Sequence, residues 1–135
     1  MALVTVPVVD PYPLDMVGLT LRRGRQYLRE TRAGGAAAFA LPAAGQLVAW
    51  SRLLFDQEVL VALNTDGAAA QQAEVTVHAP WHPDGSTMRV LYRGDWTQAQ
   101  LKGSPPNQQV GVTWLPDGRA TVTLQLPPAG MAVLA

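Results

Sequence analysis

The chain of 135 residues has the length of one domain, enough to bury a core. Apolar residues make up 48% and charged residues 15%, which excludes disorder driven by charge repulsion. Ten basic residues balance ten acidic ones, so no net field draws the chain to nucleic acid or an anionic membrane, and neither is expected as a partner.

Without cysteine there is no disulfide framework, thiolate metal site or cysteine nucleophile. No apolar run approaches the roughly 20 residues of a membrane-spanning helix. The opening MALVTVPVVDPYP has no cationic region and Pro7 interrupts it, so it does not read as a signal peptide. A cytoplasmic location is the expectation. Glycine (12) and proline (11) recur at short intervals, as the punctuation of an all-β fold requires, and no internal repeat is visible.

Residues 1–20 are expected to form an N-terminal arm or an extra strand, with 3–6 as the strand candidate and Pro7, Pro11 and Pro13 discouraging helix. Residues 21–135 are expected to form one β-sandwich domain. Its first stretch, 21–32 (LRRGRQYLRETR), starts basic and continues as an alternating strand; Arg22, Arg23 and Arg25 read as a solvated rim. The organising stretch is 46–65 (QLVAWSRLLFDQEVLVALNT), two apolar runs at 47–54 and 59–63 around the polar break Asp56-Gln57-Glu58. Short, Val- and Leu-rich runs of this kind predict a β-hairpin covered on both faces. Val48, Trp50, Arg52 and Leu54 should share one side, and Leu47, Ala49, Ser51 and Leu53 the other.

Further strands are expected at 74–78, with Val75 and Val77 inward, and at 87–92, with Met88, Val90 and Tyr92 on one face. Residues 93–108 read as a long polar connection. Strands at 109–115 and 119–126 flank Pro116-Asp117-Gly118, where Gly118 can take a positive φ, and a last strand runs over 131–134. About eight short strands at this spacing predict an all-β antiparallel sandwich of the Greek-key type.

Catalytic chemistry is hard to place. Asp56, Asp66, Asp84 and Asp117 sit in turns that they stabilise through their own backbone contacts. His78 and His82 have metal-pair spacing for a helix, but Pro80 lies between them in a strand-to-loop pattern, so two solvated histidines are expected and no metal. No phosphate-binding loop, dinucleotide fingerprint or nucleophile elbow is present, and no cofactor is implied. The aromatics remain, because Trp and Tyr faces stack on the C–H faces of sugars. Trp50 and Trp114 lie on strand patterns and read as core. Trp81 and Trp96 lie in loops, where each ring either stacks a ligand or caps a sheet end.

The stretches LRRGRQYLRE (21–30), LVAWSRLLFDQEVLVALNT (47–65), STMRVLY (86–92) and LPPAGMAVLA (126–135), in this order, resemble the C-terminal all-β domain of bacterial alpha-amylase-family glycoside hydrolases. The resemblance implies a non-catalytic accessory β-sandwich that supports barrel stability or α-glucan handling in carbohydrate metabolism. In that family the catalytic carboxylates belong to a (β/α)8 barrel absent from this chain, and the barrel's last helix precedes the region matching Leu21, where this chain departs with the proline-containing segment 1–20. The implied partner is such a barrel, or α-glucan, and an exposed barrel-facing patch would favour homo-oligomers. The alternative is a carbohydrate-binding module in which Trp81, Trp96 and Tyr92 stack an α-glucan.

Overall fold

The computed structural model describes residues 14–34, 36–103 and 105–135. The strand expected at 3–6 lies outside them, as does the arm up to residue 13. From there the expectation that the prolines discourage helix is corrected: Leu14–Arg23 forms helix α1, which runs across the boundary drawn at residue 20. The last of the prolines, Pro13, precedes the first helical residue in sequence, so no proline enters the helix interior, where it would break the ladder. Val17 and Thr20 are buried and Leu21 packs beside them, one stripe at helical spacing.

Gly24 ends the helix. Its N–H donates to the Thr20 carbonyl at 2.8 Å. A Cβ there would stand 2.5 Å from the Thr20 carbonyl oxygen and 3.0 Å from that of Leu53. Only glycine lets the helix end abut the strand that carries Leu53.

The strands are β1 (Arg25–Leu28), β2 (Thr31–Ala33), β3 (Leu47–Leu54), β4 (Gln57–Asn64), β5 (Gln71–Val77), β6 (Thr87–Arg93), β7 (Gln109–Gly111), β8 (Thr113–Trp114), β9 (Ala120–Leu126) and β10 (Met131–Leu134). They form a six-stranded sheet, β1-β3-β4-β10-β6-β7, facing a four-stranded sheet, β2-β5-β9-β8, with every pairing antiparallel. The molecule is an all-β sandwich, as expected.

The ten strands among the described residues exceed the expected eight because two runs split between sheets. The run after Gly24 leaves the six-stranded sheet at Arg29-Glu30 and joins the other as β2. The run at 109–115 does the same at the buried Val112, so β7 pairs β6 while β8 pairs β9. A straight alternation cannot show such a crossing. The 93–108 connection also holds a short helix, α2 (Gln98–Lys102), started by a capping box between Thr97 and Gln100.

The hairpin alternates as expected, with Leu47, Ala49 and Ser51 buried on the inner side of β3. Its turn is Phe55-Asp56, so Gln57 and Glu58 belong to β4 and not to a polar break. In β6 the expected face is corrected. The register shifts so that Val90 opposes Leu134 but Tyr92 opposes Val133. Cross-strand partners share a side, so the bulge turns Tyr92 to the outer face while Met88 and Val90 stay inside.

The main core lies between the sheets, with Leu47, Leu60, Met88 and Leu134 from one and Val75, Val122 and Leu126 from the other. A second cluster sits on the outer face of the six-stranded sheet, where Val17 and Leu21 of α1 meet Val59, Leu91 and Val133. Replacing Gly24→Ala should lower unfolding free energy by about 1–3 kcal/mol through the helix–strand clash. Urea denaturation would show a lower midpoint at unchanged slope.

Candidate functional site

The three aromatics singled out in the sequence do not come together. Trp96 is 9% exposed and belongs to the inter-sheet core, so its ring has no free face for a sugar. Its indole N–H meets no acceptor among the described residues. Tyr92, 38% exposed, lies on the outer sheet face. Trp81 alone stays at an open groove, half-buried at the end of a 3₁₀ turn, Ala79–Trp81. The core placements of Trp50 and Trp114 are corrected as well: Trp50 is half-buried on the outer face of the six-stranded sheet, and Trp114 is 42% exposed on the two-residue edge strand β8.

The polar centre of this region is Glu58, which the sequence placed in a break. Its side chain has no exposed surface. Strand alternation points it inward beside Leu60, and the partner strand brings Ser51 to the same side. Ser51 Oγ donates to Oε2, and the Arg29 guanidinium donates to the same oxygen at 3.1 Å. Oε1 accepts from the His78 backbone N–H at 3.0 Å and lies 2.7 Å from His82 Nε2. Arg29 Nε in turn donates to Ser51 Oγ at 2.7 Å. The expectation of solvated histidines is therefore corrected for His82, whose side chain is 13% exposed; Glu58 draws it inward. His78 is half-buried with its ring edge-on to Trp81, centroids 4.5 Å apart.

Serine, histidine and glutamate together invite comparison with a hydrolytic triad, but the wiring differs. There the base lies between nucleophile and acid. Here the carboxylate lies between Ser51 and His82, and Ser51 is wholly buried. The cluster is a clamp that joins the β1–β2 crossing, the central hairpin and the 78–82 segment. Burial alone would raise the Glu58 pKa. The hydrogen bonds from His82, Ser51 and the His78 backbone, with the Arg29 charge, outweigh burial and hold it below the ordinary 4.5.

Trp114 fixes the same loop from the far side: its Nε1 donates to the His82 carbonyl at 2.6 Å, and its N–H to Asp84 at 3.0 Å. The turn roles expected of Asp66 and Asp117 hold, each accepting the backbone N–H two residues on, while Asp84 accepts from the distant Trp114 instead.

In front of the clamp opens a groove of about 460 Å³ lined by Arg23, Arg25, Tyr27, Leu53, Leu54, Phe55, His78 and Trp81. Tyr27 is 42% and Phe55 75% exposed. A second recess of about 640 Å³ at Leu19 and Arg22 shares Arg23 with it. Sequence reasoning missed Tyr27 and Phe55 because each sits in an apparently regular strand or hairpin. The available signal was the aromatic next to Asp56, at a position where a hairpin turn usually has glycine or asparagine.

The folded-state pKa of Glu58 is depressed, so its stabilisation is complete above the unfolded value of 4.5 and is lost as pH falls through the folded value. Glu58→Gln should cost about 3 kcal/mol at neutral pH, because the largely covered Arg29 keeps its charge without the counter-ion. It should also flatten the acid side of the stability profile below about pH 5, read by urea unfolding across pH. No protein-family model and no curated protein matches the chain, and the functional reading rests on this geometry.

Proposed function

We propose that the chain is a non-catalytic accessory β-sandwich of an alpha-amylase-like glycoside hydrolase, supporting a catalytic barrel or its handling of α-glucan. The observation that carries the reading is the outer face of the six-stranded sheet. Register places Leu28, Trp50, Val61, Val133 and Tyr92 in one row across five strands, with Val48, Leu63 and Met131 in another. An antiparallel sheet with a solvated outer face alternates apolar and polar residues; these rows are apolar on the side away from the core. Helix α1 covers the part around Val59, while Leu28 remains 53% exposed and Trp50, Leu63 and Met131 half-buried. Apolar area of this kind favours a partner.

Two features support a barrel as that partner. Helix α1 begins upstream of Leu21, the side on which the resembled family has, in sequence, the last helix of its barrel. The buried Ser51–Glu58–His82 group stabilises the sandwich, with the serine closed to substrate. For the α-glucan-binding alternative, only Trp81 of the two loop tryptophans retains an open ring.

The test joins the chain to an alpha-amylase-family barrel stripped of its own C-terminal domain. The fusion should be more heat-stable than the bare barrel, and Leu28→Lys with Tyr92→Lys should remove that gain while leaving the separated sandwich folded. No gain over the bare barrel, or α-glucan hydrolysis by the chain alone, would overturn the reading.

A further inference from the structure

We propose that the groove beside the Glu58 clamp binds a small phosphate monoester carrying a ring with an apolar face, with Arg23 and Arg25 on the phosphate and Phe55, Tyr27 and Trp81 against the ring. Three observations converge on it, each independent of the accessory-domain reading.

The first is the backbone of Phe55. Its φ is +55°, the left-handed region that glycine or asparagine enters cheaply and a bulky residue does not. Burial does not compensate, since the ring is 75% exposed. A strained residue whose side chain adds no core is a residue held for display.

The second is charge. Arg23 and Arg25 are exposed, and neither side chain has an ion pair or hydrogen bond among the described residues. No carboxylate stands among the described residues lining the groove. The chain as a whole is neutral, so this cationic rim is local. Two guanidinium groups at one rim suit a phosphate, which accepts paired N–H donors.

The third is rigidity. Trp81 lies between Pro80 and Pro83 and is braced edge-on by His78. The loop is tied to Glu58 through the His78 N–H and the His82 ring, and to Trp114 through the His82 carbonyl. A platform fixed before binding loses little entropy on binding. The volume of about 460 Å³ suits a single ring with its phosphate.

Both a sugar phosphate and a nucleotide have this chemistry, and calorimetric titration with glucose 6-phosphate and with AMP separates them. At least one ester should bind saturably, about tenfold tighter than glucose or inorganic phosphate, and weaken with added salt. The preferred ester identifies the ring as sugar or base. Arg25→Gln should weaken binding about tenfold. Phe55→Gly should weaken it about fivefold while leaving the unfolding midpoint equal or higher. Absence of saturable binding by either ester, equal binding of inorganic phosphate or glucose, or undiminished binding by either variant would overturn the site. A lowered midpoint in Phe55→Gly would make that residue structural and overturn it too.

Discussion

A carboxylate removed from water must be solvated by the protein itself, and Glu58 receives that solvation from three separate stretches of chain. Arg29 reaches it from the crossing between β1 and β2, Ser51 from β3, and the His78 N–H and His82 ring from the segment after β5. Removing a charge from water costs several kcal/mol unless partners replace the lost hydration. These partners must therefore stay in register for the sheet end to remain closed. The interaction dictates where the chain changes sheets and where the loop bearing Trp81 can rest.

The opposite end of β4 is closed by a neutral counterpart. Asn64 Nδ2 donates to the Ala69 and Pro127 carbonyls at 2.9 Å each, and its Oδ1 accepts from the Asp66 N–H at 2.9 Å. Read along its inner face, the central strand is Glu58, Leu60, Ala62 and Asn64: polar, apolar, apolar, polar. The apolar pair supplies the core, and the polar pair satisfies backbone groups exposed where the sheets end. A slip of one residue would turn Gln57, Val59, Val61 and Leu63 to the inner face in their place and take Glu58 and Asn64 away from their partners.

The two faces of the six-stranded sheet then do different things. The inner face makes the sandwich. The outer face receives α1 and keeps apolar area beyond it, which is why partnership with a larger body is the reading we favour. The groove lies where helix end, hairpin turn and clamped loop meet, so its geometry depends on the Glu58 partners although none of its open walls is part of the sandwich core. Gly24 links these parts by allowing the helix end to touch the end of β3.

By itself the sequence determined what local pattern can determine. Period-two alternation in β3, β5 and β9 showed which residues face the core, and Asp-containing turns marked strand ends at Asp66 and Asp117. Those signals follow from pleat geometry and side-chain-to-backbone bonding, both of which act over a few residues. Tertiary structure alone decided the burial of Glu58, whose partners Arg29 and His82 lie 29 and 24 positions away. It also decided that Trp96 fills the core, that Tyr92 turns outward at a bulge, and that two apparent strands divide between sheets. Burying a charge or an indole depends on which distant groups meet it, and alternation along one strand contains no record of them.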